Sequence, residues 1–320
     1  MATSSASTTA NTTAIPLQTD LLTGMEWSAA QVRELLHLAA DVKARPDRYR
    51  GALAGRFLAL IFEKPSLRTR VTFEVGIASL GGSATFLDHT LSHLGERESV
   101  ADVAHSLERW THGIVARLFH QTALEDLAQN ARIPVINALT DRFHPCQAFA
   151  DFFTLEEHFG GLRGLKVAYV GDGNNVCHSL LSAGARLGCN IRVATPEGYE
   201  PDSVVVSDAR RAARDTRGKI ELFESPSEAA SGAQVIYTDV WTSMGQEAES
   251  AKRAAAFAGY QVNEEMFSLA APDAVFLHCL PAHRGMEVSE EIMDSPRSIV
   301  FDQAENRLHV QKAILLTLLS

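Results

Sequence analysis

A chain of 320 residues can hold two medium-sized domains, each with a full core. At 46% hydrophobic and 21% charged the composition is ordinary globular, and a formal charge of -10 excludes a general nucleic-acid binder, which needs clustered Lys and Arg against phosphates. No run approaches the roughly 18 uninterrupted apolar residues of a membrane span, and Cys146, Cys177, Cys189 and Cys279 form no CxxC pair of the zinc or redox kind, so a soluble, cytoplasmic protein with reduced thiols is expected.

The chain begins "MATSSASTTANTTA", Ser/Thr-rich without a basic start or an apolar core, and is expected to be a disordered tail over 1–16. A helix follows in "WSAAQVRELLHLAADVKARP": Ser28 and Gln31 make a capping box, Val32, Leu35, Leu36, Ala39 and Val42 make a stripe, and Pro46 ends it. From there short apolar strands alternate with helices. Strands are predicted at 56–62, 84–88, 113–119 and 133–138, with helices at 69–80, 98–110, 122–130 and 145–159. In the helix after the first strand, Val71, Val75 and Ala78 fall on one face. The rhythm continues with strands at 165–171, 190–195, 219–223, 234–239, 274–278 and 298–302. Such alternation predicts an α/β protein of two doubly wound parallel-sheet domains joined by interdomain helices. The division is placed at 17–150 and 151–305, with "FGGLRG" at 159–164 beside the joint and the terminal helix, 306–320, packing back on the first domain.

Ligands of open parallel sheets bind outside the carboxyl ends of the strands, so the strand ends are where chemistry is expected. After the first strand, "FEKPSLRTRVTFEVG" places Ser66, Arg68, Thr69 and Arg70 at a strand-to-helix turn. A helix N-terminus has free N–H groups and a positive dipole end, so arginines there call for an anion. The Arg fork matches oxyanion oxygens in pairs, which favours a phosphate; surface ion pairs of Arg68 and Arg70 with Glu63 and Glu74 are the alternative. Arg117 ends an apolar strand, where a charge is costly without a partner or a cleft. His144 stands before Pro145, which keeps it out of helical geometry at the head of the next helix, with Gln147 one turn in. Each alone reads as structural. Together with residues 66–70 at one sheet edge they favour a phosphate with an adjacent carbonyl.

In the second half "LKVAYVGDGNN" follows a strand with Gly171, Gly173, Asn174 and Asn175, but Val176 occupies the third glycine position of a dinucleotide fingerprint. A nicotinamide-dependent oxidoreductase and a non-catalytic metabolite-binding protein both remain open from these features. Asp239 ends a strand and is followed by Ser243 and Met244, an arrangement suited to an amine or amino-acid ligand or simply to a helix cap. "HCLP" at 278–281 puts Cys279 at another strand end, as a small buried residue, a nucleophile or a polariser.

SxRTR at 66–70, HPCQ at 144–147, DxxxSMG at 239–245 and HCLP at 278–281, in this order, resemble the ornithine carbamoyltransferase family over nearly the whole chain. The first two motifs are shared with aspartate carbamoyltransferases, and the last two resemble the ornithine branch. The resemblance implies that Ser66, the backbone of Leu67, Arg68 and Thr69 hold the phosphate of carbamoyl phosphate. Arg117 and His144 would face its carbonyl oxygen, Gln147 its amide, and Arg307 would close over it. Asn175, Asp239, Ser243 and Met244 would bind ornithine, with Cys279 and Leu280 beside the reacting carbon. His93 would reach a neighbouring subunit's site in a homotrimer, with room for a higher assembly. Leu67 stands where Thr is commonest, and His93 where Gln is frequent. The implied reaction makes citrulline in arginine metabolism and requires no metal or organic cofactor, no nucleic acid and no membrane.

Overall fold

A computed structural model of the chain describes residues 20–242 and 247–320. The expected tail at 1–16, together with Ser243 and Met244, lies outside the described residues. The first half runs α1 (Ala29–Ala44), β1 (Phe57–Phe62), α2 (Leu67–Ser79), β2 (Ser83–Asp88), α3 (Val100–Trp110), β3 (Gly113–Arg117), α4 (Gln121–Asn130), β4 (Val135–Leu139) and α5 (Pro145–Phe159). The second runs β5 (Lys166–Val170), α6 (Asn175–Leu187), β6 (Asn190–Ala194), α7 (Ser203–Thr216), β7 (Lys219–Phe223), α8 (Pro226–Ala230), β8 (Val235–Tyr237), α9 (Ser250–Ala256), α10 (Glu264–Ser268), β9 (Val275–Leu277), α11 (Glu290–Met293) and α12 (Val300–Leu319).

Every strand pairing is parallel, in sheets of order β2-β1-β3-β4 and β7-β6-β5-β8-β9. Both orders reverse direction once, between β1 and β3 in the first sheet and between β5 and β8 in the second. These are the crevices in which an open parallel sheet receives a ligand. Strands such as "FLALIF" are apolar throughout because helices cover both faces, which leaves no solvated side for alternating polar residues.

The capping box of α1 forms as its sequence requires: Gln31 N–H donates to Ser28 Oγ at 3.2 Å and Ser28 N–H to Gln31 Oε1 at 2.9 Å. All five residues of its stripe are buried. One continuous core joins the halves, taking in Leu60 and Ile136 of the first sheet, Phe149 and Phe152 of α5, and Val167 and Leu277 of the second. The α5 helix is buried from Pro145 to Leu155 and so lies inside the molecule.

One expectation is corrected. No strand forms at 298–302: Ser298 makes a single bridge to Phe276, and α12 begins two residues later, packing on α1, α2 and α5. The β-branched run "SIV" reads as strand locally, but burial of a long apolar helix against three others outweighs propensity. In α2 the face of Val71, Val75 and Ala78 is turned outward, while Thr69, Phe73, Gly76 and Ile77 are buried. Both faces are apolar, so period alone does not say which one is covered.

Candidate active site

The crevice of the first sheet is lined from three strand ends. After β1, Ser66 is the N-cap of α2 in extended conformation, and its hydroxyl makes no capping bond, so the first-turn N–H groups face outward beside a free hydroxyl. The Leu67 side chain is 74% exposed, which limits that residue's role here to its backbone. Arg68 is half-buried and its guanidinium has no hydrogen-bond partner among the described residues. Arg70 takes the structural alternative: Nε lies 3.1 Å from Glu74 Oε1 and the guanidinium covers the Phe86 ring at 3.6 Å.

Arg117 ends β3 at a register shift between Ala116 and Arg117. It is buried, Nε has no partner, and among the described residues no carboxylate pairs with it. Burial, with Arg307 nearby, brings its acidity up, to a pKa of about 10. His144 caps α5 and is 4% exposed, with Nδ1 unpartnered. Burial and the neighbouring Arg307 and Arg117 hold its pKa well below the usual histidine value, so the ring is neutral. From α12, Arg307 donates through Nη1 to Gln147 Oε1 and through Nη2 to Thr69 Oγ1 at 2.9 Å, while Nε is left open. Three buried cationic or potentially cationic groups thus converge with unsatisfied donors, an arrangement that costs several kcal/mol unless an anion arrives.

At the second crevice Asp239 follows β8 and accepts from Asn174 Nδ2 at 2.8 Å and from the Cys279 thiol at 3.1 Å. Burial, then the Asp239 carboxylate, pushes the Cys279 thiol well above its ordinary pKa, so it is protonated. Leu280 has φ of +59°, rare for a side chain of its kind, and its N–H is held by His278 Nδ1 at 2.9 Å. His278 Nε2 faces Glu287 Oε1 at 3.2 Å. Asp239, His278 and Cys279 offer atoms within 4.8 Å of one another, but both nitrogens of His278 are already engaged.

The two crevices face each other across short links. Asn175 Nδ2 donates to Thr140 O at 2.5 Å, His144 N–H to Ser179 Oγ at 2.7 Å, and Arg142 pairs with Asp202 at 2.7 Å. Asn175 therefore has its Oδ1 and one N–H left for a ligand. His93 stands apart: it is half-exposed, meets Phe119 edge-on at 5.0 Å, lies 3.8 Å from Glu63, and hydrogen-bonds none of the site residues in its own chain through its ring. Asn174, legible only as part of the GDGNN turn, caps α6 and also holds Asp239 from 65 positions away.

The "GDGNN" turn does not leave room for a dinucleotide pyrophosphate. A Cβ at Gly173 would lie 2.3 Å from Pro201 N and 2.5 Å from Glu200 C, because the 199–201 segment crosses where the cofactor would sit. Gly173 N–H donates to Tyr199 O at 2.9 Å, and Asp172 is paired with the buried Arg253. The glycine serves close packing of the protein's own backbone.

Comparison with known proteins agrees with this geometry. Two family models match in series: the aspartate/ornithine carbamoyltransferase carbamoyl-P binding domain over residues 19–157 and the Asp/Orn binding domain over 163–318. The ornithine carbamoyltransferase of Thermus thermophilus is 54% identical over 307 residues, covering 96% of this chain and 98% of the relative. A relative from Pyrococcus furiosus described as anabolic is 50% identical, covering 92% and 95%. The solved structure of the Pyrococcus furiosus enzyme superposes with a TM-score of 0.91 at 49% identity, over 94% of this chain and 96% of that one. The anabolic ornithine carbamoyltransferase of Campylobacter jejuni gives a TM-score of 0.89 at 37% identity, over 94% and 99%. The chain belongs to the aspartate/ornithine carbamoyltransferase family.

Proposed function

We propose that this chain transfers the carbamoyl group of carbamoyl phosphate to the δ-amine of L-ornithine, giving L-citrulline and phosphate. The observation that carries the reading is the pairing of the two switch-point crevices: one has buried donors left open around Arg117, the other an acid–thiol pair at Asp239 and Cys279. Ser66, the Leu67 backbone, Arg68 and Thr69 hold the phosphate at the α2 N-terminus, and Arg307 closes over it. Arg117, neutral His144 and Thr69 donate to the carbonyl oxygen as charge gathers on it, each preorganised donor contributing roughly 3–4 kcal/mol in sites of this kind. Gln147 meets the carbamoyl amide. Asn175, Asp239, Ser243 and Met244 hold ornithine, with Cys279 and Leu280 beside the reacting carbon.

The neutral amine attacks the carbamoyl carbon, phosphate leaves with the bonding pair, and the surplus amine proton is released. Exclusion of water by closure of the two halves protects the labile mixed anhydride from hydrolysis. The carbamoyl phosphate half is assigned to 17–150 with 306–320 packed on it, and the ornithine half to 151–305. A cytoplasmic setting suits this substrate pair; among the described residues no helix is long and apolar enough to cross a membrane.

A homotrimer with His93 entering the neighbour's site is part of the same reading. Leu67, Val71 and Val75 form an outward apolar stripe on α2, which is surface a monomer would leave wet. Sedimentation at a monomer mass in active enzyme would refute the trimer. The reaction itself is tested by citrulline formation from carbamoyl phosphate with ornithine, acetylornithine, succinylornithine, putrescine or aspartate offered as acceptor. Ornithine is expected to turn over fastest, and faster turnover of any other acceptor would overturn the assignment.

A further inference from the structure

One buried carboxylate stands behind the site without touching the phosphate-binding helix. Asp151, on α5, has no exposed surface. Its Oδ1 accepts from Gln147 Nε2 at 2.8 Å and from Gln303 Nε2, on α12, at 2.6 Å, while Oδ2 has no hydrogen-bond partner. Gln303 Nε2 also reaches the Tyr237 hydroxyl of β8 at 3.2 Å. At its other end Gln147 accepts from Arg307. The Gln147 amide therefore lies between a carboxylate at its nitrogen and a guanidinium at its oxygen.

We infer that Asp151 is a positioning residue for the carbamoyl end of the substrate: it orients the Gln147 amide so that the site takes a carbamoyl group in preference to acyl groups that lack an N–H. This rests on the function proposed above. A guanidinium only donates and a carboxylate only accepts, so the two charges fix the amide in one orientation. The Gln147 oxygen has a second lone pair beyond the one used by Arg307, and that lone pair suits the substrate's N–H. A flipped amide would set oxygen against carboxylate and N–H against guanidinium. Neutralising Asp151 removes one of these two penalties.

The groups facing Asp151 are Arg307 from α12, the Tyr237 hydroxyl from β8 and the Cys279 thiol after β9, the last two being pushed up in pKa partly by its charge. Burial raises the Asp151 pKa to about 7, against Gln147, Gln303 and the Tyr237 hydroxyl, and the charge of Arg307, all of which favour the anion. The orienting charge is thus present above neutral pH and is lost as pH falls through about 7.

The test compares wild type with Asp151→Asn, which keeps shape and removes charge. Dissociation constants are measured for carbamoyl phosphate, for acetyl phosphate, which replaces the NH2 by a methyl group, and for inorganic phosphate, between pH 6 and 8.5. Charge-assisted bonds are about twice as strong as neutral ones, so Asp151→Asn should bind carbamoyl phosphate about tenfold more weakly at pH 8.5, with the preference over acetyl phosphate shrinking to match. Inorganic phosphate should bind both proteins alike, which a general loosening of the site would not allow. Relative to the variant, wild type should lose carbamoyl phosphate affinity toward pH 6. Gln303→Leu, which removes one donor from Asp151 together with the acceptor of the His278 N–H, should move that loss to higher pH. Unchanged preference and an unchanged pH profile in Asp151→Asn, or an unmoved profile in Gln303→Leu, would overturn the inference. Absence of carbamoyl phosphate binding by wild type would instead overturn the proposed function.

Discussion

The two crevices are finished to different degrees. Around Asp239 the reacting groups themselves have protein partners: the carboxylate takes Asn174 and Cys279, and His278 is held at both nitrogens, while Trp241 Nε1 and one oxygen of Glu287 are left open. Around Arg117 the protein stops short, leaving Arg117 Nε, His144 Nδ1 and Arg307 Nε buried and unpaired. Native proteins satisfy nearly all such atoms, so a cluster of exceptions marks a place reserved for something else. The first crevice is held open at a cost in stability, while the second already engages its acid and thiol with each other.

The largest expected effect breaks this contrast on the open side. Arg117→Met keeps an unbranched apolar stem and removes the charge. Loss of one preorganised donor costs about 10²–10³ in turnover, and loss of the buried charge facing an anion adds to it, so kcat/KM for carbamoyl phosphate should fall at least 10³-fold. The free protein should nevertheless gain stability, by about 1–4 kcal/mol if the unpaired guanidinium behaves as buried charges usually do. Steady-state kinetics beside thermal unfolding checks both halves. Activity within tenfold of wild type, or a lowered Tm, would show that Arg117 is a structural residue.

A smaller effect sharpens the same contrast without mutation of the second crevice. Inorganic phosphate alone should stabilise the protein, by about 2.7 kcal/mol at a hundred times its dissociation constant, because it completes open donors. Ornithine alone at equal concentration should shift the Tm far less, since Asp239 already has two protein donors and the buried donors of Arg117 and Arg307 stay open. Equal shifts from the two ligands, measured by thermal unfolding at constant ionic strength, would remove the asymmetry.

The parts of this molecule legible in the sequence are those decided by neighbours in the chain. The Ser28–Gln31 box, the α1 stripe and the Pro145 start of α5 are set by bonds spanning three or four positions, and each formed as read. The strand ends were legible because parallel β/α alternation fixes where crevices lie. Long-range choices were not. Residues 298–302 carry a strand-like composition, and only the surfaces of α1, α2 and α5 turn them into a helix. The α2 faces are both apolar, and the choice between them depends on α12 more than two hundred positions away. Asp151 gave no motif at all, since its partner Gln303 is 152 positions distant, and nothing in the GDGNN turn pointed from Asn174 to Asp239, 65 positions on.

Cys279 is the smallest test and separates two chemistries in the closed crevice. A nucleophilic cysteine needs its thiolate, and here the sulfur lies 3.1 Å from the Asp239 carboxylate to which it donates its proton. At an effective dielectric of about 20, two negative charges at that distance repel by about 5 kcal/mol, before the cost of burying the second charge is counted. Asp239 therefore raises the thiol pKa and holds the thiol as a donor, the opposite of the setting that activates a nucleophile. The ornithine amine can itself attack the carbamoyl carbon, so no acyl-enzyme is needed. Cys279→Ser replaces one donor by another, and turnover should fall by about tenfold or less, since only the fit of the donor changes. Wild type mixed with carbamoyl phosphate in the absence of ornithine should release no burst of phosphate. A burst equal to the enzyme concentration, with a carbamoyl thioester recovered at Cys279, would reassign the residue as the nucleophile and make Asp239 the group that its chemistry has to overcome.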